Sequence, residues 1–193
     1  MTAVGPAPSP WVERFAGLLR PQGTVLDVAC GSGRHLRWLA AAGFAVTGVD
    51  RDASALAGLQ DLAELRVADI ESGPWPFPGR RFDALVVTNY LWRPLWPQLI
   101  ASLAEGGVLI CETFAAGQQT IGKPSRPEFL LQPGELLRLC AGLRVVSFED
   151  GHDDASGIGR FVQRIAAVAE RPGAAMPQRY ALAPAAGAQR PDG

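Results

Sequence analysis

The stretch Thr24-Val25-Leu26-Asp27-Val28-Ala29-Cys30-Gly31-Ser32-Gly33-Arg34-His35 decides the fold. It reads as a strand, a glycine-bearing turn and the start of a helix. Val25, Leu26 and Val28 suit a strand covered on both faces. Gly31 and Gly33 let the backbone turn tightly and approach a ligand where a Cβ would clash. From Arg34 to Ala42, Leu36, Leu39 and Ala40 share one helical face, and Gly43 stands where the helix stops. A strand–turn–helix unit of this kind near the start of an α/β domain cradles a small molecule.

The spacing of the turn narrows the choice of ligand. The dinucleotide pattern Gly-x-Gly-x-x-Gly, counted from Gly31, places its third glycine at Leu36, which disfavours an NAD-dependent oxidoreductase. Asp27 lies four residues before Gly31, where it suits a cationic ligand better than a pyrophosphate. Asp27-Val28-Ala29-Cys30-Gly31-Ser32-Gly33 resembles motif I, Asp/Glu-x-Gly-x-Gly-x-Gly, of the Rossmann-like (class I) S-adenosylmethionine-dependent methyltransferases. Ala29 replaces the first glycine, a change expected to fit if φ is negative there.

Later segments extend the resemblance over residues 24–114 in matching order. Ala45 to Asp50 is a short apolar run ending in an acid. Val67-Ala68-Asp69-Ile70 resembles the acid-bearing loop beside the adenine. Phe82 to Asn89 matches the fourth strand, and Leu103 to Ile110 the helix end, Gly-Gly turn and fifth strand. The resemblance implies an α/β, doubly wound, seven-stranded sheet of order 3-2-1-4-5-7-6 with its last strand antiparallel. It implies S-adenosyl-L-methionine as cofactor. Asp27 would favour the bound cation, and Ala29 and Asn89 would meet the methionine moiety along the turn of Cys30, Gly31 and Gly33. Asp50, with Arg51 beside it, would take the ribose hydroxyls. Asp69 would accept the adenine amino group, with Ile70 against the ring. Each of the two later acids has a local alternative, capping the helix that follows. His35 reads as a structural group behind the turn.

At 193 residues the chain fits one domain with a full core. Residues 1–170 read as that domain, and the Ala-, Pro- and Gly-rich segment 171–193 as a disordered tail. A net charge of −1 advertises no nucleic-acid partner, and no apolar run reaches the length of a membrane span. With no signal pattern at residues 1–10, a cytoplasmic location is expected, as monomer or homodimer. Three dispersed cysteines and two histidines make a metal site unexpected.

Ser9-Pro10 caps a first helix over Trp11–Leu19, within an N-terminal segment, residues 1–22, that can act as a lid. Further helices are expected over Ala53–Leu62, Pro94–Leu103 and Gln132–Ala141. Strands are expected over Arg144–Glu149 and Gly159–Val168, paired antiparallel through a polar turn carrying His152. Trp38 reads as core, while Trp92 and Trp96 fit either core or substrate pocket.

The acceptor side rests on the ends of strands four and five. Tyr90-Leu91 replaces the two prolines of the nucleobase amino-methylating enzymes and argues against that substrate. Asn89-Tyr90-Leu91, Glu112-Thr113-Phe114 and the stretch from Pro127 to Leu136 resemble small bacterial methyltransferases of the tellurite-resistance type, which implies a small-molecule methyl acceptor. Tyr90, Arg93 and Glu112 are the catalytic candidates, with Glu112 as proton acceptor; otherwise Arg93 and Glu112 pair with each other. Ala115–Gln132 is expected to fold over the site. An RNA or protein methyltransferase and a non-catalytic cofactor-binding module are the alternatives.

Overall fold

Alternating strand and turn signals build a single sheet in the computed structural model, which describes residues 6–154, 157, 159–171, 173 and 178–182. The strands are β1 (Thr24–Val28), β2 (Ala45–Asp50), β3 (Glu64–Val67), β4 (Phe82–Thr88), β5 (Leu103–Phe114), β6 (Arg144–Asp153) and β7 (Arg160–Val168). Four α-helices, α1 (Pro10–Phe15), α2 (Arg34–Ala41), α3 (Trp96–Ala101) and α4 (Glu135–Leu139), lie among them. The sheet has seven strands in the order β3-β2-β1-β4-β5-β7-β6. Strands β1 to β5 pair in parallel, and β7 runs antiparallel to both β5 and β6. This is the order and direction that the motif I resemblance implied.

Side chains alternate across the sheet and feed two cores. Leu26, Val28, Leu85, Val87, Leu109 and Ile165 face Trp96 and Leu99 of α3 and Leu136 of α4. Val25, Val46, Val86, Ile110 and Ala166 face Trp11, Val12 and Phe15 of α1 and Leu36 and Leu39 of α2. Both faces of the central strands are thus covered, which explains their continuous apolar runs. Trp92 is packed against the first core and Trp96 buried within it, and Trp38 is packed against the second.

Helix α1 starts as its sequence requires: the Ser9 hydroxyl accepts from the Trp11 N–H and Pro10 takes the first turn. Trp11, Val12 and Phe15 are buried, and the Trp11 indole donates to the Ile165 carbonyl at 3.2 Å. Burying each such side chain is worth about 1.5–3 kcal/mol, so α1 is a core element rather than a flap. The lid expectation is corrected for Trp11–Leu19.

Leu36 sits where a dinucleotide site would need glycine, and Gly48 on β2 makes the room instead. A Cβ on Gly48 would meet Leu36 Cδ1 at 2.6 Å and Cys30 Sγ at 2.9 Å. The small residue at this contact is on the strand, and the helix approaches the sheet through its leucine.

Several local expectations are corrected. Ala53–Leu62 forms successive i→i+3 turns rather than a helix. Asp52 caps them, accepting from the Ser54 and Ala55 N–H groups, but Gly58 at φ 79° breaks the run. The helix after Pro94 ends at Ala101, because the pairing of Leu103 with Phe82 already begins β5. His152 lies in β6 opposite Phe161, edge-to-face at 4.9 Å, not in a turn. The expected disordered tail falls mostly outside the described residues. Within it, Tyr180 donates to the Glu170 carboxylate at 3.0 Å and packs against the second core. Among the described residues no helix is long and apolar enough to cross a membrane.

Candidate functional site

The carboxyl ends of the parallel strands carry a cleft built in three parts. The first is lined by Ala29, Asp50, Arg51, Ala68, Asp69, Ile70, Glu71 and Tyr90. The second shares Glu71 and Tyr90 with it and continues over Asn89, Leu91, Thr113, Phe114, Pro124 and Phe129. The third shares Phe114 and is bounded by Arg34, Gln118, Ile121, Lys123, Gly159 and Arg160 among others. Strand order alone creates this: β1, β2 and β3 end beside the first part, β4 and β5 beside the second.

The glycine turn is shaped from both sides. Gly31 has φ 53° and open space where its Cβ would stand, so its backbone is free to face a ligand. Gly33 has φ 76°, and a Cβ there would strike Leu59 at 2.6 Å, so this glycine serves turn and packing. Cys30 donates its N–H to the Val49 carbonyl at 3.1 Å and is buried. Burial, with Asp27 and Asp50 nearby, pushes its thiol pKa up, which makes it inert packing.

Ala29 corrects an expectation, because its φ is +53°. A left-handed conformation strains any residue with a Cβ. Ala29→Gly is therefore expected to stabilise the protein by about 1 kcal/mol, read as a raised urea midpoint at unchanged slope. An equal or lower midpoint would show that the turn holds alanine without strain.

Asp50 and Asp69 both cap local backbone and still face the first part of the cleft. Asp50 accepts from the Gly31 N–H at 2.8 Å and the Asp52 N–H at 2.9 Å. A carboxylate offers about four lone-pair sites, so capacity for two hydroxyl donors remains. Asp69 accepts from the N–H groups of Glu71 and Ser72 and from the Ser72 hydroxyl. These bonds, the hydroxyl's first, hold its pKa below the usual carboxylate range, and they leave room for one further donor. Ile70 is buried beside it, and exposed Arg51 rims the same wall.

Asp27 does not line the cleft. It lies 1 % exposed behind the turn, and its Oδ2 has no hydrogen-bond partner. Burial is the main reason that its pKa rises to about 8, with Arg34 opposing and Asp50 reinforcing. His35 Nδ1 is 3.8 Å away, too long for a hydrogen bond, while His35 Nε2 accepts from the Ser9 N–H at 3.1 Å. Burial and Arg34 lower the His35 pKa to about 3, so the ring is neutral. An orphaned buried carboxyl behind a turn with an open glycine fits a ligand that brings positive charge; S-adenosylmethionine meets that description.

The three catalytic candidates are not brought together. Tyr90 spans the first two parts of the cleft; its hydroxyl is buried without a partner. Burial, followed by the Glu71 and Asp69 charges, raises its pKa, so it stays a phenol and a donor. Arg93 forms a bidentate pair with Glu135 at 2.6 and 2.9 Å and donates to the Glu128 and Leu130 carbonyls. It anchors the segment that covers the cleft. Glu112 is 1 % exposed and accepts from the Ser9 hydroxyl at 3.0 Å and from Arg160 and Arg164. Neither the acceptor-facing placement of Arg93 and Glu112 nor their mutual pairing holds, because each has a closer partner on another element. Asn89, at φ 54°, lines the second part of the cleft rather than the first. Of the Ala115–Gln132 insertion, Gln118, Ile121, Lys123, Pro124 and Phe129 do reach the cleft.

Glu71 is a cleft residue that the sequence reading did not name, although it follows Asp69-Ile70 in the loop after β3. Leu91 and Phe129 were named only within longer matching stretches, because an apolar residue lining a recess reads like one in a core.

Residues 25–106 match the family model of a methyltransferase domain. No curated protein matches the chain significantly in sequence. Among solved structures, TehB from Haemophilus influenzae is similar with TM-score 0.67 and 19% identity over 81% of this chain. This chain spans only 60% of that one's length. A SAM-dependent methyltransferase from Methanosarcina mazei superposes with TM-score 0.66 at 18% identity, covering 86% of this chain and 99% of the other. A coclaurine N-methyltransferase bound to N-methylheliamine and SAH gives TM-score 0.61 at 12% identity, covering 82% and 70%.

Proposed function

We propose that this S-adenosylmethionine-dependent methyltransferase domain transfers the methyl group to a small-molecule acceptor seated between Tyr90, Leu91, Phe114 and Phe129. The observation that carries the reading is the continuity of the cleft: Glu71 and Tyr90 belong both to the hollow lined by Asp50 and Asp69 and to the recess beyond it. The recess has a cavity volume of ≈ 260 Å³. That lies just below the usual range of small-molecule sites, about 300–1,000 Å³, and suits an acceptor of few atoms.

S-Adenosylmethionine, when bound, supplies a methyl group already activated by its sulfonium. The chain then has to position and to exclude water. Asp50 holds the Gly31 turn and offers its free lone pairs to hydroxyls. Asp69 offers one acceptor site, and Ile70 an apolar wall. Leu91, Pro124, Phe114 and Phe129 dry the recess, and Arg93 fixes the segment that carries Phe129. The Tyr90 phenol donates at the junction, and Glu71 stands beside it as the acceptor of a proton.

Asp50→Ala is expected to weaken binding of S-adenosylhomocysteine by about 1–3 kcal/mol, since charge-assisted bonds are lost. Unchanged affinity by calorimetry would displace the hydroxyl-binding role from Asp50. The reading as a whole is tested by incubating the protein with methyl-labelled donor and a cell extract separated into metabolite, RNA and protein fractions. Label is expected in the metabolite fraction. Label confined to RNA or protein would replace the small acceptor with a macromolecular one.

A further inference from the structure

The far end of the cleft has a charge pattern that the proposed transfer does not use. Arg34, Lys123 and Arg160 line it, with Phe114, Gln118, Ile121 and two glycines, and without an acidic residue. Among the described residues neither Arg34 nor Lys123 forms an ion pair. Arg160 reaches Glu112 at 3.4 Å and Asp153 at 3.6 Å through one nitrogen, while its buried Nε has no hydrogen-bond partner. Three cations facing one hollow repel one another, and an anion there would relieve that repulsion while filling their donors. Phe114 joins this end to the apolar recess.

We infer that the acceptor is a carboxylic acid with an apolar or aromatic body, its carboxylate held by Arg34, Lys123 and Arg160 and its body against Phe114 and Phe129. This deepens the proposed function and rests on it. The carboxylate lies at the end of the cleft away from Asp50 and Asp69. The atom that receives the methyl is therefore a different one, at the Tyr90 and Glu71 end. A carboxylate at Arg34 has a second source, the methionine part of the cofactor, because Arg34 directly follows the glycine turn.

The experiment uses the full chain saturated with S-adenosylhomocysteine and two probes of equal shape, phenylacetate and phenylacetamide, followed by calorimetry and ligand-observed NMR. The acid is expected to bind about tenfold tighter than the amide, as charge-assisted bonds require. In the variant Arg34→Met/Lys123→Met the two probes are expected to bind within about twofold of each other, with S-adenosylhomocysteine affinity retained. Arg160 is left intact because it contacts the buried Glu112. Equal binding of acid and amide by the wild type, or no binding of the acid, overturns the inference while leaving the proposed function in place. Loss of S-adenosylhomocysteine affinity in the variant with the acid preference kept assigns the cations to the cofactor and also overturns it. Failure of the wild type to bind S-adenosylhomocysteine at all would overturn the proposed function itself, and this inference with it.

Discussion

Asp27→Asn is expected to stabilise the ligand-free protein at alkaline pH and to weaken its hold on the cofactor, two effects of opposite sign from one carboxyl group. The buried carboxyl has a folded pKa of about 8 against 3.8 for the free side chain, chiefly because burial disfavours its charged form. The folded state therefore binds the proton more tightly than the unfolded state. The stability this contributes is fully present below about pH 4 and is lost as pH rises through about 8. Asparagine has no proton to lose. The urea midpoints of wild type and variant should lie close at pH 5 and diverge at pH 9, with the variant higher.

Ligand binding reverses the preference. A cation on the cleft side of the turn favours ionised Asp27 behind it, so below pH 8 the wild type must release a proton to bind. Its affinity for S-adenosylhomocysteine, which keeps the amino group, is expected to rise between pH 6 and pH 9. The variant is expected to be flat, and at pH 9 about tenfold weaker than wild type. Parallel pH profiles for the two proteins would remove Asp27 from cofactor binding and leave it a packing residue.

Glu112→Gln is expected to cost stability rather than chemistry. Its carboxylate ties Ser9, at the start of α1, to Arg160 and Arg164 of β7. Removing one partner of a buried ion pair leaves charge uncompensated, at about 3 kcal/mol. Asp153 and Glu149 also contact Arg164 and limit the loss. The variant is expected to unfold at clearly lower urea while methyl transfer per folded molecule stays near that of the wild type. Unchanged stability with abolished transfer would restore Glu112 as the proton acceptor.

The hollow proposed for the cofactor was legible in the sequence as a place because its signals are backbone signals. Gly31 and Gly33 mark positive φ, and Asp50 and Asp69 mark strand ends, so strand order alone carries them to one edge. Ala29 shows the boundary of that legibility: motif spacing located it, while its strained φ is imposed by the fold around it. The acceptor half was legible as a place and not as a set of roles. Tyr90, Arg93 and Glu112 do follow the ends of β4 and β5, but strand alternation sends Glu112 to the α1 side of the sheet. Glu135 on α4, 42 residues further along the chain, claims Arg93. Long-range ion pairs of this kind leave no local periodicity. The short turns at Ala53–Leu62 were missed for a related reason, since apolar spacing there is helical and a single glycine overrides it.

A crystal structure of the full chain with S-adenosylhomocysteine tests the account most directly. Ribose hydroxyls are expected on Asp50, adenine between Asp69 and Ile70, and the thioether sulfur directed at the Tyr90 junction, with the recess of Leu91, Phe114 and Phe129 open beyond it. A ligand whose sulfur faces away from Tyr90, or that fills the Phe114 recess itself, would contradict it.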